Sequence, residues 1–327
     1  MLIIRRDTID PYFNLAAEEY ILKNFTEDTF ALWRNDSSVI VGKHQNTLAE
    51  INQEFIKEKN IKVVRRISGG GAVFHDIGNL NFTFTQKSED ENKINFRKYT
   101  KPILDVLRSL GVDARFEGRN DLTIKGMKFS GNAMHIWKNM VLHHGTLLFS
   151  SDIPDLSEAL NADPSKFEDK AVKSIPSRVT NITDHLMESL DVMQFADRIE
   201  QFMVKSNPHA VLYELTEEDI ATIQQLADTK YSTWEWNYGY SPKYNFKKVL
   251  RTASSGIIEL NLDVHEGIIT AIRIFGDYFG VLDSEDIEHA LSGIPHNGAA
   301  IREALEPFEI GKYFTNMNKE LFIQSFF

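Results

Sequence analysis

Two adjacent arginines and a run of three glycines stand close together in the first quarter of the chain. Arg65 and Arg66 follow an apolar strand candidate at 61–64, and the glycines occupy 69–71. Glycine adopts positive φ at no steric cost, so consecutive backbone N–H groups can form a concave site for phosphate or carboxylate. A guanidinium binds such oxygens in a bidentate fork. The stretch predicts an anion site, although a glycine-rich hairpin with two solvated arginines fits the same pattern.

The residues around the glycines exclude the two common nucleotide-binding loops. The G-x-x-x-x-G-K-[ST] order of a P-loop is absent, and no helix pattern follows the glycines as a dinucleotide fingerprint requires. Instead 72–74 is apolar, and 80–85 alternates apolar and polar residues as a half-buried strand does. We therefore expect the glycine loop to be held between strands.

Three further cations lie in loops that are rich in small or hydroxyl residues. Lys128 precedes the small polar run 130–133, and Lys173 and Arg178 flank hydroxyl residues in a loop that could close over an anion. Because the whole chain is acidic, a basic cluster of this kind must be local. We interpret these three and the two adjacent arginines as one anion pocket. The alternative for Lys128 is an exposed lysine on a hairpin, and the alternative for the loop with Lys173 and Arg178 is a surface turn.

The composition of the 327-residue chain excludes several classes of protein. A formal net charge of −11 argues against nonspecific binding to nucleic acid or to an anionic membrane. The absence of cysteine excludes disulfides, thiolate metal sites and a cysteine nucleophile. No window approaches the ~20 apolar residues of a membrane span, and the first ten residues lack the apolar core of a signal peptide. We expect a soluble, cytoplasmic protein.

Hydrophobic periodicity predicts the elements that must position these residues. Asp10 and Pro11 form the N-cap and first-turn signature of a helix, and an apolar stripe at 103–110 ended by Gly111 indicates another. The remaining predictions are strands at 30–33, 39–41, 258–264 and 268–274, a hairpin turn at Gly126, and helices at 192–204, at 217–231 and around Ile287 and Leu291.

Two other polar stretches could reach a ligand, and we favour a structural role for both. The segment 42–46 is interpreted as a solvated loop. His143 and His144 are adjacent on a predicted strand and therefore point to opposite faces, which makes a shared metal ion difficult. We interpret both as core or hydrogen-bonding histidines.

The composition changes near Ser241-Pro242, which we interpret as the start of a linker. We place a large domain at 1–243 and a small hairpin-plus-helix domain at 244–327. With 42% hydrophobic residues, the chain has enough apolar side chains for two cores.

Five ordered motifs resemble those of lipoate–protein ligases, namely RRISGGGAVFHD, RNDL with KFSGNA, HHGTLL, SRVTNI and SxWEWNxG. They span nearly the whole chain. The resemblance implies an α/β (α+β) fold, with a catalytic domain like those of class II synthetases and biotin ligases and a small C-terminal accessory domain. It also implies an activity: lipoate and MgATP give lipoyl-adenylate and pyrophosphate. The lipoyl group then passes to a lysine of a lipoyl domain, in 2-oxoacid dehydrogenase E2 subunits or in the glycine-cleavage H protein.

The same resemblance assigns residues to the site. Arg66 and the backbone from Gly71 to Phe74 would bind ATP, and Lys128 would bridge the phosphate and the lipoyl carbonyl. A segment containing Lys173 and Arg178 resembles the family's lid over the adenylate, and Pro176 stands in it where some members carry a basic residue. The full implied set is Arg66, Ser68, Gly70, Gly71, Ala72, Val73, Phe74, His75, Asn120, Asp121 and Lys128, with Lys173, Ser177 and Arg178 in the lid. Mg²⁺ accompanies ATP, and no metal site of the protein's own is implied.

Other activities compete with this interpretation. Acyltransferases that move octanoyl or lipoyl groups without ATP share the fold, but they use a cysteine that this chain lacks. A biotin ligase would carry a different glycine–arginine pattern. A non-catalytic lipoate or nucleotide sensor, or a partner subunit, is the alternative outside enzymes. The choice between lipoate and octanoate and the preferred acceptor stay open.

Overall fold

The computed structural model describes residues 1–45, 47–88, 95–160, 179–233, 236–237, 246–252, 256–265, 268–295 and 298–326. The predicted lid residues Lys173, Ser177 and Arg178 lie outside these ranges, as does the composition change at Ser241-Pro242. Within these ranges no helix has both the length and the apolar composition needed to cross a membrane.

Strands and helices are mixed along the described chain, which confirms the α/β fold class. The strands are β1 (Leu2–Arg5), β2 (Thr29–Trp33), β3 (Ser38–Val41), β4 (Lys62–Arg65), β5 (Val73–His75), β6 (Asn79–Lys87), β7 (Ala114–Glu117), β8 (Asp121–Ile124), β9 (Met127–Trp137), β10 (Met140–Leu148), β11 (Val211–Leu212), β12 (Phe246–Thr252), β13 (Gly256–His265) and β14 (Ile268–Gly276). The helices are α1 (Pro11–Asn24), α2 (Thr47–Glu50), α3 (Gln53–Glu58), α4 (Phe96–Ser109), α5 (Ile153–Ala159), α6 (Val192–Ser206), α7 (Glu217–Leu226), α8 (Glu285–Leu291), α9 (Gly298–Ala304), α10 (Ile310–Tyr313) and α11 (Lys319–Gln324).

The elements predicted from periodicity are largely confirmed. Helix α1 begins as expected, with Asp10 Oδ2 accepting the N–H of Phe13 at 3.4 Å and Pro11 in the first turn. The predicted turn at Gly126 joins β8 and β9, and its φ of +76° is one that glycine adopts freely. The helix predicted at 217–231 is instead α7 followed by a π-helical turn at Ala227–Tyr231. Strand β12 was not predicted.

A sheet of eight described strands organises the large domain, in the order β11-β1-β2-β6-β10-β9-β8-β7. One face packs against α4 and α6, where Phe82, Ile103 and Ile199 belong to one apolar core. The other face is covered by α1 and a smaller sheet, and α7 packs on α1. Since both faces are covered, the expectation of a half-buried strand at 80–85 is wrong: β6 is buried from Asn79 to Thr85.

The smaller sheet explains where the glycine segment lies. Its order is β4-β3-β5, with β3 parallel to β4 and antiparallel to β5. The chain therefore leaves β4, crosses the end of β3 and returns on its other side as β5. The glycine segment is held between strands, as expected, and it is not a hairpin because β4 and β5 do not pair with each other.

The C-terminal part has a core of its own, formed by the β12-β13-β14 sheet and helices α8 to α11. Ile258, Ile274 and Ile287 are fully buried in it. The predicted hairpin is confirmed as β13 and β14, and the predicted helix around Ile287 and Leu291 is α8.

The last residue of β14 and the segment after it contact the large domain directly. The N–H of Gly276 donates to the carbonyl of His44 at 2.5 Å, and the rings of His44 and Tyr278 stack with centroids 4.7 Å apart. Phe279 is buried in the large domain's core, 5.2 Å from the ring of Phe96. The interpretation of 42–46 as a solvated loop is therefore wrong for its described residues, since Gly42, His44 and Gln45 are buried against other parts of the chain.

Candidate active site

One cavity lies between the glycine segment and the face of the large sheet opposite α4. Its volume is about 580 Å³, including the space that opens to solvent. Of the residues that sequence reasoning assigned to the site, eight line this cavity: Arg66, Gly70, Gly71, Ala72, Val73, His75, Asn120 and Lys128. Ser68, Phe74 and Asp121 do not line it, and the lid residues are outside the described ranges. The structure thus brings together residues separated by more than fifty positions in the chain.

The strand register shows that the cavity runs across the sheet. Trp33 on β2 lies opposite Asn81 on β6, and Asn81 lies opposite Thr146 on β10. Thr146 Oγ1 in turn accepts the N–H of Gly131 on β9 at 3.1 Å. Three interstrand spacings separate the ends of this row, or ~14 Å. A medium-chain acid can lie across the strands, with Trp33 at one end and the β8–β9 hairpin at the other.

Arg66 stabilises the glycine segment from below. Its Nη2 donates to the carbonyls of Gly69 and Gly71 at 2.7 and 2.8 Å, and its Nη1 donates to Ile40 on β3 at 3.0 Å. A φ of +92° at Gly70 lets the segment wrap around the guanidinium. Burial lowers the pKa of Arg66 to about 10, so the group stays charged at neutral pH. The site therefore has a fixed positive charge directly beneath its glycine wall.

Arg65 has a different role, and its assignment to the anion pocket is wrong. The side chain is fully buried and does not line the cavity. Its guanidinium donates to the carbonyls of Gly42, Lys43 and Gln45 and to Thr47 Oγ1, at 2.6 to 3.1 Å. Adjacent residues on an extended segment point to opposite sides, so only one of the two arginines can face the cavity.

Lys128 lies at the β8–β9 end of the cavity, paired with a carboxylate. Its Nζ is 2.8 Å from Oδ1 of Asp121, and both side chains are about two-fifths exposed. A Cβ on Gly131 would come within 3.2 Å of that Nζ, so this glycine leaves room for the ammonium group. Asn120 and Asn132 exchange hydrogen bonds beside it. Both groups are accessible from solvent. The ammonium group can bind an anionic substrate, and the carboxylate can bind a cation that the substrate carries.

A buried hydrogen-bonded chain connects α1 to Arg66, and sequence reasoning missed most of it. Glu18 accepts from Nδ1 of His144 at 2.9 Å, Nε2 of His144 lies 2.6 Å from the Ser68 hydroxyl, and Ser68 accepts from Arg66 Nε at 3.0 Å. Burial alone would raise the pKa of Glu18, but His144 and hydrogen bonds from His144 and Thr83 lower it. A glutamate within an apolar helix, Leu-Ala-Ala-Glu-Glu-Tyr, was the signal that could have revealed it.

The two adjacent histidines point to opposite faces of β10, as predicted. His144 lines the cavity, whereas His143 points into the core, where it stacks on Tyr99 at 5.0 Å and lies beside Phe82. Burial lowers the pKa of His143 well below its ordinary value, so it stays neutral. The prediction of core or hydrogen-bonding histidines is confirmed.

Phe74 and His75 occupy opposite faces of β5. Phe74 is buried in the core under the small sheet together with Val39 and Val63, so only its backbone can reach the site. His75 lines the cavity, with its ring centroid 6.0 Å from that of Trp33. Burial, helped by the charge of Arg66, lowers the pKa of His75 to about 3.

No group of three or more metal-binding side chains occurs in the described part of the chain. Mg²⁺ commonly binds proteins through one or two carboxylates together with substrate phosphates. Asp121 does not line the cavity, but its carboxylate lies beside Lys128, which does, so the residues present fit a Mg²⁺ ion that arrives with a nucleotide.

Two protein families match the chain, each over one of its parts. The family described as the lipoyl protein ligase A/B catalytic domain matches residues 10–204. The family described as the bacterial lipoate protein ligase C-terminus matches residues 241–326. Together the two matches confirm a catalytic domain followed by a smaller C-terminal domain.

Curated relatives match over the full length. The chain is 43% identical to lipoate–protein ligase 1 of Staphylococcus aureus over 324 residues, which cover 98% of each protein. It is 42% identical to lipoate-protein ligase LplJ of Bacillus subtilis, over 99% of each.

Solved structures agree with these relatives. Plasmodium falciparum LipL1 in complex with lipoate superposes with a TM-score of 0.79 at 25% identity, covering 99% of this chain and 97% of that one. A lipoate-protein ligase A bound with ATP has a TM-score of 0.64 at 28% identity, covering 72% and 98%. The bipartite ligase of Thermoplasma acidophilum, studied with its E2 lipoyl domain, has a TM-score of 0.64 at 30% identity, covering 74% and 97%. This chain belongs to the lipoate–protein ligase family.

Proposed function

We propose that this enzyme activates lipoate with MgATP and then transfers the lipoyl group to a lysine of a lipoyl domain. The observation that carries the proposal is the cavity beside the glycine segment, which brings these groups together. One of its walls is the glycine segment over the buried Arg66, its β8–β9 end carries Lys128, and its other end is largely apolar. This arrangement matches an acid with an apolar tail whose carboxylate must meet a phosphate.

The first step joins two anions. A carboxylate oxygen attacks the α-phosphorus of ATP, the bond from that phosphorus to the bridging oxygen breaks, and pyrophosphate leaves. Negative charge builds between the reacting oxygens, so a cation at that point lowers the barrier by several kcal/mol. The position of its ammonium group, at the end of the row that begins at Trp33, supports this role for Lys128.

The second step breaks the mixed anhydride. The neutral amine of the acceptor lysine attacks the acyl carbonyl, the bond between that carbon and the phosphate oxygen breaks, and AMP leaves while the amine loses a proton. Lys128 and the N–H groups of the glycine segment stabilise the phosphate oxygens in both steps.

The remaining roles follow the sequence assignment. The backbone from Gly71 to Phe74 contacts the nucleotide, and Asn120 and Asp121 would hold its phosphates and Mg²⁺. Ser68 acts from behind the cavity wall by holding Arg66. Lys173, Ser177 and Arg178 form the lid that would shield the adenylate from water.

The acceptors belong to the proposal as well. We propose apo lipoyl domains of 2-oxoacid dehydrogenase E2 subunits, of the glycine-cleavage H protein, or of both, modified in the cytoplasm where ATP is available. A ligase of the same family has been studied with its E2 lipoyl domain, which supports this substrate class. The domain limits 1–243 and 244–327 are proposed with it, the first part holding the cavity.

The test is pyrophosphate release from the purified protein given MgATP and lipoate, with and without an apo lipoyl domain whose mass is measured afterwards. A mass gain of one lipoyl group that requires ATP supports the ligase. Acyl transfer from a lipoylated carrier without ATP would instead reveal a transferase. Lipoate binding without pyrophosphate or modification, in a folded protein, would reveal a sensor.

A further inference from the structure

His75 lines the cavity, and one of its ring nitrogens is buried without a partner among the described residues. The residue is 97% buried, and within the described part of the chain its Nε2 has no hydrogen-bond partner. A buried donor without a partner is costly, so most buried polar groups in proteins are paired. At the edge of a ligand cavity such a group indicates that the ligand supplies the acceptor.

The hydrogen bonds behind His75 decide which ring nitrogen carries the proton. Asn14 Nδ2 donates to the carbonyls of Thr8 and Arg34, both at 2.9 Å, which fixes the orientation of that amide. The same Nδ2 lies 3.0 Å from Asn35 Oδ1, so Asn35 must turn its own Nδ2 toward His75. That group is 3.0 Å from His75 Nδ1.

Because Asn35 donates, Nδ1 of His75 must accept, and the proton of the neutral ring resides on Nε2. Burial keeps the ring neutral, as its pKa of about 3 requires. His75 is therefore a donor with a fixed direction at neutral pH.

The donor lies at the end of the cavity that receives the far end of the acid. His75 is beside Trp33, and Trp33 is ~14 Å across the strands from the end where Lys128 binds the carboxylate. Leu15, Ile40 and Val73 make this region largely apolar. A carboxylate bound at Lys128 places the last atoms of the tail, and not the phosphates, against His75.

Asn81 adds a second polar group at the same place. It lines the cavity opposite Trp33, and its Nδ2 is buried without a partner in the described ranges. Among the residues that the structure describes, its amide has one hydrogen bond, accepted from Asn79 Nδ2 at 2.9 Å, and this contact does not fix which polar end faces a ligand. His75 has only one orientation, and it carries the inference.

We propose that the Nε2–H of His75 donates a hydrogen bond to a sulfur of the dithiolane ring and thereby makes the enzyme prefer lipoate to acids of the same length without sulfur. This inference rests on the proposed function and adds its specificity. A saturated hydrocarbon tail would bury the same N–H with no acceptor, whereas a sulfur accepts it weakly. We expect a preference of about tenfold, since a site with a buried donor rejects analogues that lack the acceptor.

The experiment compares lipoate with cyclopentylpentanoate, in which two methylenes replace the two sulfurs and the ring size is unchanged. Pyrophosphate release gives kcat/KM for each acid with the wild-type protein and with His75→Phe. We expect the ratio to be about ten for wild type and within threefold of one for the variant. A wild-type ratio near one, or a ratio that His75→Phe does not change, would overturn the inference.

Two controls separate specificity from general damage. Ile40→Val enlarges the same region without altering a polar group, so it should lower both kcat/KM values together and preserve the ratio. His75→Gln retains a side-chain N–H and should recover part of the preference. A ratio in His75→Gln as low as in His75→Phe, with both variants folded by circular dichroism, would contradict a hydrogen-bonding role.

A measurement on the unmodified protein covers the case in which the variants do not fold. Nitrogen-15 NMR of the histidine rings should show the proton of His75 on Nε2, and lipoate should shift that signal whereas cyclopentylpentanoate should not. A proton on Nδ1, or equal shifts with both acids, would refute the inference. Absence of pyrophosphate with either acid would defeat the proposed function instead, so the two failures can be told apart.

Discussion

The hydroxyl oxygen of Ser68 lies 2.6 Å from Nε2 of His144, although 76 residues separate them in the chain. This contact completes a buried chain from Glu18 on α1, through the large sheet, to the guanidinium of Arg66. Arg66 in turn holds the carbonyls of the glycine segment. The position of the glycine wall therefore depends on a carboxylate that does not line the cavity.

Replacing Glu18 with alanine should both destabilise the protein and slow the chemistry. The change leaves the O–H of Thr83 and the Nδ1–H of His144 without an acceptor in the core, and each such buried donor costs about 1–3 kcal/mol. Urea unfolding at neutral pH measures the loss, and pyrophosphate release measures the slowing. Glu18→Gln keeps an accepting oxygen and should recover part of both, while Glu214→Ala, at an exposed position, should stay within ~0.5 kcal/mol. Equal unfolding free energies for Glu18→Ala and wild type would contradict the buried chain.

Lys128→Ala should abolish adenylate formation while the protein stays folded. The side chain is partly exposed at the cavity, so its removal leaves the cores intact, whereas the loss of one electrostatic stabiliser of this kind lowers a rate by about 10²–10³-fold. Single-turnover formation of lipoyl-adenylate is the measurement. Lys125→Ala, an exposed lysine in the same hairpin, is the matched control and should retain wild-type rates. Near-normal pyrophosphate release by Lys128→Ala would exclude the assigned role.

Protein stability should fall as the pH drops below about 6.5. Burial lowers the pKa of His44 and of His75 to about 3, far below the value in an unfolded chain. Between the folded-state pKa of about 3 and the unfolded-state pKa of about 6.5, the unfolded state binds more protons than the folded state. The free energy of unfolding therefore decreases with falling pH, by up to ~1.4 kcal/mol per pH unit for each histidine. Urea unfolding from pH 7 to pH 5 measures this slope. His44→Phe can keep the stack on Tyr278. It should lower the change in unfolding free energy per pH unit by the contribution of one histidine. An unchanged slope would show that His44 is not held neutral.

Gly42→Ala should displace the glycine segment. A Cβ at Gly42 would lie 2.0 Å from the carbonyl oxygen of Gly70, so the backbone of the cavity wall must move. Such overpacking costs about 1–3 kcal/mol, and we expect adenylate formation to fall by more than that loss of stability explains. Thermal unfolding and pyrophosphate release should be measured together. Gly311→Ala meets its nearest atom only at 3.9 Å and should be nearly neutral. A fully active Gly42→Ala would mean that the wall tolerates displacement.

The sequence by itself determined most of the local structure and part of the site. Helix α1 was predictable because Asp10 and Pro11 act on the backbone beside them, and the sides of His143 and His144 followed from strand alternation. The family could be identified from motifs that are recognised by their order in the sequence alone. The assignment of Lys128 followed from that identification.

Only the tertiary structure decided how Arg65 and Arg66 differ and what holds Arg66 in place. Both arginines have the same residue type and the same neighbours in sequence, but one guanidinium binds the 42–45 loop and the other lies beneath the glycine wall. The contacts of Glu18, His144 and Ser68 depend on which strands become neighbours and on where α1 packs, and these are nonlocal choices of the whole chain. Periodicity predicts that a residue is buried. The order of strands in the sheet determines which group becomes its hydrogen-bonding partner, because the two groups meet only after the layers have packed.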